Sequence, residues 1–125
     1  MTRDTRRLPD AELAVMQALW ACQTPAGRSD LEGVLQSTHP MAATTLLTLL
    51  SRLADKGFVR SEKLGRSARY TPLVSQEDYL AGQSRRFLDQ LCGGSLSTFA
   101  NALCSSGLTR QELDELRDLL NGGKL

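Results

Sequence analysis

The sequence predicts a mainly α chain with one small β element, and three observations carry that expectation. Apolar residues recur at helical spacing through most of the 125 residues, two short β-prone runs stand side by side near the middle, and a Ser/Thr-x-x-Glu signature opens two of the helical segments. Composition agrees: 41% hydrophobic and 23% charged residues suit a folded domain and exclude the low-hydrophobicity, high-charge regime of disorder.

Residues 1–7 are polar and Arg-rich without periodicity and are expected to form a flexible basic arm. In LPDAELAVMQALW, Leu13, Met16, Leu19 and Trp20 recur at helical spacing, and Asp10 and Glu12 sit where a helix N-terminus favours negative charge. Thr24-Pro25-Ala26-Gly27 reads as the turn that ends this first helix. Ser29 with Glu32 forms a capping box for a second helix running to about Ser37, with Leu31, Val34 and Leu35 on its apolar face. Pro40 restarts the chain into a third helix, Met41 to Lys56, closed by Gly57 as a left-handed cap.

FVRSEKL and ARYTPL, joined by Gly65-Arg66-Ser67, read as a two-stranded hairpin, with Pro72 at its exposed end. From Ser75 the helical period returns, carrying Leu80, Phe87, Leu88 and Leu91 as far as Gly93-Gly94. A short helix holds Leu96, Phe99, Ala100 and Leu103. The last opens on a second capping box, Thr109 to Glu112, and carries Leu113, Leu116, Leu119 and Leu120. Three helices followed by a β-hairpin wing is the element order of an α+β winged helix-turn-helix, expected over residues 8–74. Residues 75–125 are expected to form a three-helix dimerisation region.

In a winged helix-turn-helix the third helix enters the DNA major groove, so its two faces should differ. At 3.6 residues per turn, Leu46, Leu49, Leu50 and Leu53 share one side. Thr44, Thr48, Ser51, Arg52 and Asp55 share the other, with Thr45 and Leu47 at the borders. Small hydroxyls allow close approach to bases and phosphates, Thr methyls can meet thymine methyls, and Arg52 can bond guanine or phosphate. A merely solvated helix face would carry more Glu and Lys.

Charge points the same way once it is divided along the chain. The total is only +1, from 15 basic and 14 acidic residues. Residues 52–69 nevertheless hold six basic residues, Arg52, Lys56, Arg60, Lys63, Arg66 and Arg69, against Asp55 and Glu62, a local excess of four. Arg66 and Arg69 in the wing suit phosphate contact. Residues 76–125 carry a net charge of −2 and a leucine-rich stripe, Leu80, Phe87, Leu91, Leu96, Phe99, Leu103, Leu113, Leu116 and Leu120, which predicts a homodimer interface for a protein reading two half-sites of double-stranded operator DNA.

Other functions find less support. His39 is the one histidine, and no nucleophile elbow or phosphate loop is present, so no enzyme is expected. No cofactor or metal site is expected either. Cys22, Cys92 and Cys104 form no paired motif and are expected to be reduced thiols. Cys92 and Cys104 offer an alternative, a thiol- or metal-responsive regulator, and a protein-interaction module without sequence-specific DNA binding is a further one. The basic start lacks a following apolar stretch and no run of 18 apolar residues exists, which predicts a cytoplasmic protein without membrane insertion.

The runs Leu8 to Trp20, Thr44 to Val59, Gly93-Gly94 and Leu108 to Arg117 resemble the penicillinase-repressor (BlaI/MecI/CopY) family, over nearly the whole chain after Leu8. The resemblance implies a dimeric winged-helix repressor on palindromic operators, released by an inducing signal. It implies Thr44, Thr45, Leu47, Thr48 and Arg52 as recognition-helix positions, with Leu47 standing where the methicillin-resistance regulators have an arginine. A sensor-controlled protease acts on antibiotic-responsive members at an Asn-Phe bond. The matching bond here is Asn101-Ala102, and the residues alone read as an ordinary exposed helical Asn. The copper-responsive branch ends in a C-x-C cluster, where this chain ends NGGKL.

Overall fold

The computed structural model describes residues 7–122, so the expected arm lies, but for Arg7, outside the described residues. The elements in order are α1 (Asp10–Ala21), β1 (Ala26–Gly27), α2 (Arg28–Thr38), α3 (Ala43–Asp55), β2 (Val59–Leu64), β3 (Ser67–Pro72), α4 (Gln76–Arg86), a π-helical turn (Phe87–Leu91), α5 (Leu96–Ser105) and α6 (Arg110–Asn121). They fall into two compact units that divide between Gln83 and Ser84.

The first unit is a winged helix. Leu46, Leu49, Leu50 and Leu53 of α3 turn inward and join Val15, Met16 and Leu19 of α1, Leu31 and Leu35 of α2, and Phe58, Val59 and Tyr70 of the hairpin in one buried core. Residues three and four apart share a helix face, which is why each helix contributes such a set. Gly57, at φ +82°, ends α3 as the sequence predicts. Its N–H donates to the Ala54 carbonyl (3.0 Å) and the Phe58 N–H to that of Leu53 (2.9 Å), a Schellman closure that drops Phe58 into the core beside Leu53.

Three details differ from the sequence expectation. Ala26-Gly27 is not simply a turn: it pairs antiparallel with Tyr70 and Arg69, so the wing hairpin belongs to a three-stranded sheet of order β1-β3-β2. The second helix starts one residue before Ser29, with Gly27 as its cap residue, and the Gly27 N–H donates to Asp30 Oδ2 (3.0 Å). That carboxylate replaces the Ser29–Glu32 capping box, and Glu32 instead lies 3.8 Å from Arg28. The first compact unit also runs past residue 74, because Val74 and Tyr79 are buried. Tyr79 accepts the Leu8 N–H on its hydroxyl (3.0 Å), while Trp20 Nε1 donates to the Val74 carbonyl (2.9 Å).

The second unit keeps the expected helical pieces. The Thr109–Glu112 box is closed in both directions, at 2.8 and 3.1 Å, and Ser95 Oγ accepts the Thr98 N–H at 3.2 Å to cap α5. Phe87 and Phe99 pack with ring centroids 5.4 Å apart, and Leu88 and Cys92 are buried. Neither α5 nor α6 buries a residue completely.

Candidate nucleic-acid interface

With its leucines turned inward, α3 presents Thr44, Thr45, Leu47, Thr48, Ser51 and Arg52 to solvent. The inward packing of one face fixes the outward direction of the other, and so positions all six. Leu47 is 41% exposed, an apolar side chain among the hydroxyls of this face. The Thr48 hydroxyl donates to the Thr44 carbonyl one turn earlier (3.0 Å), so its proton is committed within the helix.

Beside this face lies a cleft of about 340 Å³, lined by Leu47, by Gly27, Arg28 and Ser29 at the start of α2, and by Arg66 to Tyr70 of the wing. The fold thus brings Leu47, Arg66 and Arg69 to one concavity from distant points of the sequence. Arg28 and Ser29 were not anticipated there. A Ser29–Glu32 capping box would turn the serine hydroxyl onto its own helix; with Asp30 doing the capping, Ser29 stays exposed on the first turn of α2, where backbone N–H groups and the helix dipole favour an anion.

The basic run is not uniformly free. Lys56 donates to Glu12 Oε1 of α1, and the Glu12 side chain is only 4% exposed. Glu12 is therefore more than a dipole partner at the helix start, and Lys56 is spent within the fold. Arg60 lies 3.9 Å from Glu62, and Arg69 Nη1 lies 3.7 Å from Asp30 Oδ2. Arg69 crosses β1 at Gly27, where an added Cβ would stand 2.7 Å from Nη1, so a side chain there would push the guanidinium aside. Arg52, Lys63 and Arg66 have no ion pair among the described residues.

The expected dimer residues divide unevenly. Leu80 is exposed in the first unit. In the second, Leu91 (74%), Leu96 (71%) and Leu120 (59%) are strongly exposed and Phe87 less so, while Phe99, Leu103, Leu113 and Leu116 are half-buried. Asn101 and Ala102 sit inside α5, Asn101 exposed, so their peptide bond is held in helix rather than on a loop tip where nicking concentrates.

The cysteines differ in setting. Cys92 is buried, and Cys104 is exposed within the last turn of α5. Burial, then the nearby Asp30 charge, pushes the Cys22 thiol up from its ordinary value, and its Sγ donates to the Asp30 carbonyl (3.8 Å). On the second unit, hydrogen bonds from Arg85 (2.6 and 3.0 Å) hold the Asp89 carboxyl below the usual carboxylate range. Among the described residues no three His, Cys, Asp or Glu side chains gather as a metal site, and no helix is long and apolar enough to cross a membrane.

Comparison with known proteins agrees with this arrangement. Residues 8–122 match the family model described as penicillinase repressor. The chain is 31% identical over 119 residues to the penicillinase repressor of Bacillus licheniformis, covering 94% of this chain and 92% of that protein. It is 29% identical over 122 residues to the methicillin resistance regulatory protein MecI of Mammaliicoccus sciuri, covering 97% and 98% of the two chains. Among solved structures, monomeric Bacillus licheniformis BlaI in complex with the blaP half-operator is similar at 31% identity and a TM-score of 0.51, over 62% of this chain and 94% of that one. A winged-helix unit with a hydroxyl-lined outer face, and a sequence match that continues through the helical unit following it in the chain, together establish that the chain belongs to the penicillinase repressor family.

Proposed function

We propose that the chain is a DNA-binding transcriptional repressor that engages palindromic operators as a homodimer and lets go in response to an inducing signal. The observation that carries this reading is the joint surface of α3 and the wing, where a solvent-facing row of hydroxyls adjoins a cleft flanked by Arg28 and Arg66. Its likeness to BlaI, solved with a half-operator, supports the same reading. The first unit would hold DNA, and the exposed leucines of the second would hold a second copy of the chain. Release would follow from anything that separates the two copies, including cleavage within α5 by a sensor-controlled protease.

The test is salt-dependent binding to operator-sized duplexes, followed by fluorescence anisotropy. Each cation on a phosphate displaces condensed counterions, so Arg66→Ala should weaken binding to all sequences and reduce the slope of log K against log salt by about one unit. An unchanged slope would remove the wing from the interface.

Asp30 offers a prediction of opposite sign. It competes with phosphate for Arg69, whose side chain is 39% exposed and whose Nη1 lies 3.7 Å away. Asp30→Asn keeps an oxygen to accept the Gly27 N–H but removes the charge that holds Arg69. The variant should bind DNA more tightly, with a slope steeper by up to about one unit. Weaker binding would show that Asp30 positions Arg69 rather than restraining it.

A further inference from the structure

We propose that the N-terminal half of α3 reads its half-site through the 5-methyl groups of thymine. The inference rests on the reading of α3 as the recognition helix and specifies what that helix recognises.

The residues exposed over the first turns of α3 are Thr44, Thr45, Leu47 and Thr48, and in a helix-turn-helix this end of the recognition helix meets the base edges. Strong hydrogen-bond discrimination in the major groove needs an Arg or Lys for guanine, an Asn or Gln for adenine, or a carboxylate for cytosine. None of the four residues carries such a group. The hydroxyls of Thr44 and Thr45 can bond to either kind of edge and so discriminate weakly. Thr48 has less to offer as a donor, because its proton already goes to the Thr44 carbonyl at 3.0 Å.

What remains on this end of the helix is apolar. Leu47 is held 41% exposed beside the cleft, and Thr48, with its hydroxyl turned back on the helix, still carries a methyl on an exposed side chain. In the major groove thymine alone among the four bases presents a methyl group. A leucine and a threonine on adjacent positions of the outward face therefore select thymine by burial of methyl against methyl. Arg52, a turn further on and without an ion pair among the described residues, remains for guanine or phosphate.

The probe is a duplex selected from a random-sequence library by repeated retention on the full chain. It is then resynthesised with deoxyuridine at each thymine of both half-sites. Deoxyuridine pairs as thymine does and deletes only the methyl. One or more positions in each half-site should lose about fourfold in affinity per methyl, the worth of burying one such group. Leu47→Ala or Thr48→Ser should abolish that sensitivity, while Thr48→Val, which keeps a methyl and drops the hydroxyl, should retain the loss on deoxyuridine replacement. All three substitutions are at exposed positions, so the fold is retained.

Full deoxyuridine replacement that leaves affinity unchanged, with the selected sequence still preferred, overturns methyl readout and leaves the recognition helix in place. Sensitivity that persists undiminished in both Leu47→Ala and Thr48→Ser also overturns it, and assigns the effect to DNA shape. A library that yields no preferred sequence overturns it together with the reading on which it rests.

Discussion

Replacing Lys56 with Ala should lower the unfolding free energy by about 3 kcal/mol, the lower end of what removal of one member of a buried ion pair costs. The carboxylate left behind explains the size of the effect. Glu12 emerges from a face of α1 that otherwise enters the core, its side chain is 4% exposed, and Lys56 Nζ is its cationic partner among the described residues. Without that ammonium group the charge would remain where water cannot solvate it.

Lys56 is itself 24% exposed along its side chain, which places the expected cost low in the range. Urea denaturation should show the midpoint falling by roughly 2 M at an ordinary slope for a small domain. Adding Glu12→Leu should recover most of the loss, because an apolar pair replaces a buried ion pair at little cost. A midpoint unmoved in Lys56→Ala would show that the pair contributes nothing. Lys56 also caps α3, so the same contact fixes the end of the proposed recognition helix against α1.

The second large effect concerns the helical unit. Leu91→Asp and Leu96→Asp alter side chains that are 74% and 71% exposed in the single chain, so the unit's own fold loses little. A charge placed in an apolar interface, by contrast, is strongly unfavourable. Each variant should sediment as a monomer. Binding to a two-half-site operator should then fall by about a hundredfold or more, since linking two sites raises avidity by that order. Binding to an isolated half-site should be unchanged. Dimers persisting in both variants would move the interface away from these leucines.

Much of the fold follows from sequence patterns that act locally. The α3 stripe, the left-handed Gly57 cap, the hairpin turn and the Thr109–Glu112 box each depend on residues within a few positions of one another, and all four are found in place. The outward set on α3 was readable for the same reason: once the leucines are known to be buried, the remaining positions must face water.

What escaped the sequence depends on partners far along the chain. Pairing of Ala26-Gly27 with Tyr70 and Arg69 is one case, and the Leu8–Tyr79 bond that draws α4 into the winged-helix unit is another. Charge counting also overstated the basic surface, because it cannot see that Lys56 is committed to Glu12 or that Arg69 reaches Asp30 over a glycine. The near-neutral sequence by itself therefore determined which residues form helices, which helix faces outward and where cations concentrate. Only the tertiary structure decided which of those cations remain free for a partner. An ion pair forms by proximity in space, and proximity between residues 44 positions apart is a product of the packed core rather than of spacing along the chain.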